Sequence, residues 1–263
     1  MKARLIIGLV IALFSVISYF SSSSINPTTG EKQHIKLSPD QEIALGLQSA
    51  PQMAQEMGGL AQDARAQALV KKIGQKVVAS SVAAKSPYKF DFHLLADPET
   101  INAFALPGGQ IFITVGLLKL LRTEGELAGV LGHEVGHVVA RHSAEHMAKA
   151  GLTQGLTSAA VIAVDPTGGG SGMAQMISSA INMKYGRADE IESDVLGVRL
   201  MSEAGYDPRA LLGVMEILDK ASASRGRQPE MFSSHPNPEN RAEKIKEVIA
   251  AQYPNGMPRG LTP

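Results

Sequence analysis

The sequence contains no cysteine, and this absence excludes several classes of protein. Without thiols the chain cannot hold disulfide bridges, thiolate zinc sites, a cysteine nucleophile, an iron–sulfur cluster or a lipid-modified N-terminal cysteine. Any bound metal ion must therefore be held by histidine, aspartate or glutamate. The lack of cysteine is also compatible with an oxidising compartment.

Net charge and aromatic residues are scarce as well. The 25 Lys and Arg residues balance 25 Asp and Glu residues, which argues against a protein that binds nucleic acid by bulk electrostatics. There is no tryptophan and only 5% of the residues are aromatic, so we expect a core of aliphatic side chains and methionine. With 263 residues the chain is long enough for one large domain or two small ones.

The first 24 residues have the composition of a targeting segment. Lys2 and Arg4 precede an uncharged apolar run over residues 5–20, and four serines follow it. The run is slightly shorter than the roughly 20 residues that cross the hydrocarbon core of a membrane as a helix. We therefore expect residues 1–24 to be either a cleaved signal peptide or an uncleaved membrane anchor. The positive end places the rest of the chain on the far side of the membrane.

The rest of the chain predicts one domain. Residues 25–37 are polar, contain proline and glycine, and predict a linker or an extended surface segment. Two runs over residues 88–95 and 110–115 predict short strands. The remaining apolar periodicity predicts several helices, including one long helix over about residues 123–149. Helices around two strands indicate an α+β, predominantly helical domain over residues 38–263.

One short motif carries chemistry, the sequence HEVGH at residues 133–137 within the long helix. Four residues on an α-helix place His133 and His137 one turn apart on nearly the same face, where both imidazoles reach one zinc ion. Glu134 beside that face can take a proton from a metal-bound water and return it to the leaving amine. Polar residues on an exposed helix face are the alternative, but apolar neighbours on both sides of the motif predict a buried helix.

Further histidines and carboxylates are candidates for the rest of the site. His142 and His146 are also one turn apart, but on a continuous helix His142 faces away from His133, so the two pairs cannot share one ion. We expect them to support the site or to lie partly exposed near the helix end. Glu190 and Asp194 share a face of a later helix, so one could bind metal while the other orients a histidine. A solvated acidic turn is the alternative for this pair.

The order of these motifs resembles the HtpX-like and CAAX-prenyl-protease-like zinc metallopeptidases, a family of gluzincins with a periplasmic branch. The resemblance covers roughly residues 38–251 and rests on HEVGH, on Glu190, Glu192 and Asp194 some 50 residues later, on NAFALPGG at residues 102–109, on Arg187, and on His235-Pro236 followed by Arg241. It implies a zincin-like fold in which a small sheet accompanies the active-site helix. It also implies one Zn²⁺ ion and protein or peptide substrates.

The resemblance implies a role for each matching residue. His133, His137 and Glu190 would bind zinc, and Glu134 would be the general base. Asp194 would orient a histidine ligand, with Arg187 and Arg241 as further residues around the ligands. His235 would donate to the tetrahedral oxyanion or occupy the open metal position in a resting state, and a simple turn residue is the alternative.

The resemblance also implies a substrate-binding segment. Residues 109–115 resemble the edge strand above the active site, against which an extended substrate could form main-chain hydrogen bonds. The residues expected to contact substrate are Asn102, Gly109, Gln110, Ile111 and Phe112.

The function expected from the resemblance is a zinc endopeptidase of the cell envelope, periplasmic, acting on misfolded or misassembled proteins. A zinc-containing chaperone or scaffold with little proteolysis is the alternative, and a zinc hydrolase of another class is a third. The glycine-rich run at residues 166–172 interrupts an apolar stretch at residues 152–181, which could be a helix, a lid or a membrane-facing surface. We interpret the run as the hinge of a lid. The oligomeric state is left open.

Overall fold

The computed structural model describes residues 2–164, 185–225, 230–231, 235 and 240–263. The first half contains α1 (Lys2–Ser21), β1 (Ser23–Ile25), β2 (Lys32–His34), α2 (Pro39–Glu56), α3 (Ala64–Ala79), a 3-10 turn (Val82–Lys85), β3 (Asp91–Leu95), β4 (Ala103–Ala105) and β5 (Gln110–Thr114). The second half contains α4 (Val115–Leu118), α5 (Glu124–Ala140), α6 (His142–Val164), α7 (Arg187–Glu203), α8 (Ala210–Arg225) and α9 (Arg241–Gln252). The predicted α+β, predominantly helical class is confirmed.

A three-stranded sheet in the order β3-β5-β4 packs beside the helices. β5 is parallel to β3 and antiparallel to β4, and all five of its residues are buried. The segment 109–115, expected to be an edge strand, is therefore the central strand, and this is a correction. Hydrogen bonds from β3 on one side and β4 on the other leave β5 without a free edge. The edge strand on the side of α5 is β4, which the two-strand prediction missed.

α5 lies at the centre of the domain, and every residue from Gly125 to Ala140 is buried. Its closest neighbour is α7, and small residues make the approach possible. A methyl group on Gly136 would lie 2.7 Å from the hydroxyl oxygen of Ser193, and one on Gly197 would lie 3.2 Å from the backbone nitrogen of His133. This contact brings the acidic residues of α7 beside the histidines of α5.

The long helix expected over residues 123–149 is interrupted, which is a second correction. α5 ends at Ala140, Arg141 takes a left-handed conformation with φ of 63°, and a new helix begins at His142. The Arg141 side chain donates hydrogen bonds to the carboxylate of Glu42 and to the Leu37 carbonyl, which holds this residue in an unfavourable conformation. α6 is therefore a separate helix that does not continue α5.

Residues 23–34, here called the N-terminal hairpin, pair β1 with β2 antiparallel and pack on the end of α5. The buried amides of Asn26 and Gln33 donate to the carbonyls of Val139 and Ala140, in the last turn of α5. These bonds satisfy carbonyls that a helix end leaves without partners. Residues 25–37, expected to be a linker, thus include side chains that support the central helix.

Of the stretch 152–181, the structure describes the part up to residue 164, which belongs to α6. The expected hinge at residues 166–172 lies outside the described residues. α6 packs mainly along α1. Within the described part of the chain, α1 is the one helix long and apolar enough to cross a membrane.

Candidate metal centre

Four side chains from three parts of the chain meet beside α5, and we call them the ligand cluster. They are His133 and His137 of α5, Glu190 of α7, and His235, and each is at most 2% exposed. One ligand atom from each lies within 4.8 Å of the others. The structure thus brings together the three predicted metal ligands and the predicted histidine from the His-Pro motif.

Four of the six separations within the ligand cluster are close to those around a tetrahedral metal ion. The Nε2 atoms of His133 and His137 are 3.0 Å apart, and Nδ1 of His235 lies 3.4 Å from Nε2 of His133. Oε1 of Glu190 lies 3.4 Å from Nε2 of His137 and 3.0 Å from Nδ1 of His235. Ligands at about 2.0–2.1 Å around a tetrahedral zinc ion are about 3.3–3.4 Å apart. These four separations are close to that value and all six lie within 4.8 Å, so a small closing of the side chains would let them hold a single ion of this kind.

Polar atoms without partners support the same conclusion. Both carboxylate oxygens of Glu134 are buried and have no hydrogen-bond partner among the described residues, and the same holds for Nε2 of His235. These two groups face each other, with Nε2 of His235 3.7 Å from Oε1 of Glu134. Burying polar atoms without partners is costly, so this pair indicates a place for a further polar group.

The charges around the cluster are strongly coupled. Burial raises the pKa of Glu134 above its usual value. Burial also works against the charged forms of His133 and Glu190, but attraction to oppositely charged neighbours prevails in both. Hydrogen bonds from Asp194 and Glu190 raise the pKa of His133 to about 10, while His235, His133 and His137 hold the pKa of Glu190 well below its usual range. Such coupling is typical of functional sites.

A second set of bonds orients His133. Its Nδ1 lies 3.0 Å from Oδ1 of Asp194, which leaves Nε2 directed at the ligand cluster. Arg241 donates to both oxygens of Asp194, at 2.7 and 2.8 Å, and its Nη1 lies 3.0 Å from Oε2 of Glu190. Despite burial, Arg241 and His133 lower the pKa of Asp194. The buried guanidinium thus bridges two buried carboxylates and offsets part of their negative charge.

His137 is oriented by a different partner, His142. Their Nδ1 atoms are 2.8 Å apart, and Nε2 of His142 lies 3.1 Å from Oε2 of Glu192. A His137 that binds metal through Nε2 carries its proton on Nδ1 and donates it to His142. His142 then carries its own proton on Nε2 and donates to Glu192. The sequence-based prediction that His142 faces away from the site is wrong, because the break at Arg141 rotates it back.

The other predicted residues are placed as follows. His146 lies outside the cluster, where its Nε2 is 2.7 Å from a carboxylate oxygen of Asp189. Arg187, expected around the ligands, is exposed at the first residue of α7, so that prediction is corrected. Arg187 and Glu190 are three residues apart on the helix, but Arg187 lies at the solvent-exposed helix end. Asn102 is buried just before β4, and its Oδ1 has no hydrogen-bond partner among the described residues.

The four predicted substrate contacts in residues 109–112 are buried within the sheet rather than on its edge. Gln110, Ile111 and Phe112 belong to the central strand β5, and Gly109 precedes it with φ of 108°. The side-chain oxygen of Gln110 accepts from Nε2 of His93 at 2.9 Å. These residues form the interior of the sheet next to the edge strand β4.

Tyr185 is a residue of the site that the sequence analysis missed. Its ring stacks on the ring of His137, with centroids 4.0 Å apart and planes 19° from parallel. Its hydroxyl lies 3.0 Å from that of Ser143, and burial raises its pKa above the usual value. No spacing rule points to a lone tyrosine five residues before Glu190, and only the folded structure shows the stack.

Comparisons with known proteins agree with this site. The chain is 31% identical over 180 residues to mitochondrial metalloendopeptidase OMA1 of Schizosaccharomyces pombe, covering 68% of this chain and 52% of the relative. It is 34% identical over 175 residues to metalloprotease YcaL of Escherichia coli, covering 63% and 64%. It is 28% identical over 248 residues to the beta-barrel assembly-enhancing protease of E. coli, covering 88% and 50%.

The chain spans about half the length of the first of these curated relatives. The model of peptidase family M48 matches residues 64–249, which is more than half of the chain and includes the whole ligand cluster. The chain belongs to peptidase family M48.

Proposed function

We propose that the protein is a zinc endopeptidase that hydrolyses peptide bonds of envelope proteins. The observation that carries this proposal is the buried, unpartnered carboxylate of Glu134 beside the ligand cluster. A site that held metal only for structure would have no use for a free base next to a ligand position. This argues against the alternative of a zinc-containing chaperone or scaffold.

His133, His137 and Glu190 would hold the zinc ion. When bound, zinc supplies a Lewis acid that polarises a carbonyl group and lowers the pKa of water. The chain contains no thiol that could replace these ligands, and the His₂Glu donor set is typical of zinc peptidases. Asp194 and His142 would fix the tautomers of the two histidines, so that both present Nε2.

Glu134 would act as the general base. Its carboxylate would take the proton from the attacking water and later deliver it to the leaving amine. Burial raises the pKa of this carboxyl group, which strengthens it as a base once it is ionised. Its position one residue after His133 keeps it beside the ligand face of α5.

His235 would have a resting role. Its Nδ1 lies 3.0 Å from Glu190 and 3.4 Å from His133, so this side chain takes the place where a substrate carbonyl would bind. Substrate binding would require His235 to move away, and its return would close the site. The expected alternative, donation to the oxyanion, would need His235 to stay near the scissile carbonyl.

The substrate would lie against β4. Hydrogen bonds join Leu106 to Gln110 and Thr114 to Asn102, and the register pairs Phe104 with Phe112. The main-chain groups of Ala103 and Ala105 therefore point away from β5, on the edge that packs nearest α5. An extended substrate could add as a further strand there, with the free Oδ1 of Asn102 beside it.

The envelope is the proposed location. α1 begins with two basic residues, Lys2 and Arg4, in its first turn and is apolar after them, as in segments that carry a chain across a membrane. The similarity to the beta-barrel assembly-enhancing protease of E. coli supports a role in the assembly or quality control of envelope proteins. We place the catalytic domain in the periplasm and the chain in the HtpX-like branch of the family.

The experiment uses two isosteric variants of the full chain in detergent micelles, Glu134→Gln and Glu190→Gln. Zinc content and cleavage of casein are measured on each. We expect Glu134→Gln to keep stoichiometric zinc and lose cleavage, and Glu190→Gln to lose zinc. If Glu134→Gln and the unmodified chain both bind zinc, cleave nothing and suppress aggregation, the chaperone alternative is correct.

A further inference from the structure

The apolar helix α1 and the helix α6 pack closely along each other. Gly8 is the one residue of α1 that is fully buried. A methyl group on Gly155 of α6 would lie 2.2 Å from the hydroxyl oxygen of Ser15 and 2.8 Å from its Cβ. Such an approach requires small residues on both helices, as is common where helices pair within membranes.

The face of α6 that meets α1 is its apolar face. Leu152, Gly155, Ala159 and Ile162 are buried or half-buried, while the residues between them are mostly exposed. Their spacing of three, four and three residues places them on one side of the helix. Among the described residues α1 is the main cover of this face, since α5 and β2 contact α6 far less.

The C-terminal end of α1 is bonded to the catalytic domain. The ring of Tyr19 stacks on that of His34 with centroids 4.5 Å apart, and Nδ1 of His34 lies 3.0 Å from the Tyr19 carbonyl. The backbone nitrogen of Ile35 donates to the Ser22 carbonyl at 3.0 Å. These contacts join the end of α1 to the base of the N-terminal hairpin, whose amides also hold the last turn of α5.

The opposite face of α1 is large, apolar and exposed. Its side chains, each at least half exposed, are Leu5, Ile6, Ile7, Leu9, Val10, Leu13, Phe14, Ile17 and Phe20. No charged residue interrupts the helix after Arg4, and an 18-residue stretch of it has a mean hydropathy of 2.2. A surface of this length and composition matches the hydrocarbon core of a bilayer.

We infer that α1 is retained in the mature protein as a membrane anchor, with one face packed on α6 and the other in contact with lipid. Removal of α1 by a signal peptidase would uncover the apolar face of α6 and break the contacts of Tyr19. Because α6 follows directly on α5, the retained anchor also positions the helix that leads away from the HEVGH motif. This inference concerns attachment alone and does not depend on the proposed peptidase activity.

The absence of cysteine makes the test direct, because two introduced cysteines can form only one intramolecular disulfide. The pair Ser15→Cys and Gly155→Cys is placed in the full chain, expressed in a bacterial host and oxidised in isolated membranes. The helices must open by about 1 Å to reach the usual Cβ separation of about 3.8 Å in a disulfide. The control pair combines Ser15→Cys with Thr157→Cys, on the exposed side of α6.

We expect the first pair to form a reducible disulfide, seen as a change in gel mobility, and the control pair to remain reduced. In parallel, the intact mass of the unmodified protein is measured after alkaline carbonate extraction of the membranes. The mass should include residues 2–21 and the protein should stay in the membrane pellet. A mature protein that begins after residue 21 would overturn the inference. A retained α1 without cross-linking at residues 15 and 155 would overturn the packing on α6.

Discussion

The Nδ1 atoms of His137 and His142 lie 2.8 Å apart, so one imidazole orients another beside the candidate metal centre. The left-handed residue Arg141 makes this contact possible, because α5 ends at Ala140 and a new helix begins at His142. Glu192 accepts from the far side of His142 and completes a line of three side chains. His133 is instead oriented by a carboxylate, Asp194.

Replacing His142 tests whether this contact supports metal binding. We expect His142→Ala to weaken zinc affinity about 10–100-fold, because His137 loses the acceptor that fixes its tautomer. Competition with a chelator of known affinity measures the change. His146→Ala is the control, since His146 bonds to Asp189 outside the ligand cluster. An unchanged zinc affinity in His142→Ala would show that the contact is incidental.

Removing Arg241 should destabilise the fold. The Arg241 side chain is 2% exposed and pairs with both Asp194 and Glu190, so Arg241→Leu removes the guanidinium that both buried carboxylates share. We expect a loss of about 3–5 kcal/mol in the free energy of unfolding, measured with denaturant and chelator so that metal does not contribute. Arg209→Leu, which breaks an exposed pair with Asp207, should change stability by less than about 1 kcal/mol. Equal losses in the two variants would contradict this account.

Two glycine substitutions should have opposite effects on stability, one at the close contact of α5 with α7 and one in open space on α6. Gly136→Ala should destabilise the protein by about 1–3 kcal/mol, because its methyl group would meet Ser193. Gly151→Ala in α6 has open space around the new methyl group and should stabilise by up to about 1 kcal/mol through helix propensity. Thermal unfolding of both variants provides the comparison. A stabilising Gly136→Ala would mean that the two helices can separate at little cost.

The variant His235→Ala distinguishes between the two roles expected for His235. If it rests in the fourth ligand position, His235→Ala keeps zinc through the other three ligands and cleaves casein faster than the unmodified chain. If it donates to the oxyanion, the same variant loses about 100-fold or more in cleavage rate. We expect the first result, because Nδ1 of His235 lies 3.0 Å from Oε1 of Glu190 and 3.4 Å from Nε2 of His133, as expected for atoms that bind the same ion. Slower cleavage with full zinc occupancy would assign the oxyanion role instead.

Much of the site could be predicted because helical spacing is a local property. His133 and His137 share a face by their spacing alone, and the same rule pairs Glu190 with Asp194. The meeting of the two helices needed the family resemblance, since nothing local to α5 indicates the contact of Gly136 with α7. The spacing rule failed for His142 because it assumes that the helix continues through Arg141.

The errors in the sheet have a different physical origin. The residue pattern of a strand indicates burial but not which strands lie beside it. The buried run at residues 110–114 could therefore be either a central or an edge strand from the sequence alone. β4 is only three residues long, and all three are apolar, so no alternation of polar and apolar residues marks it. The bonding of residues 25–37 to α5 also depends on long-range contacts, and the polar amides of Asn26 and Gln33 looked like those of a linker.

The most direct test of the central claim is the rate of casein cleavage by zinc-loaded Glu134→Gln, with zinc content measured on the same sample. Glu216→Gln, at an exposed position, serves as the matched control. If Glu134 is the general base, its variant keeps one zinc ion per chain and cleaves about 10²–10⁴-fold more slowly, while the control cleaves normally. Undiminished cleavage by zinc-loaded Glu134→Gln would contradict the account.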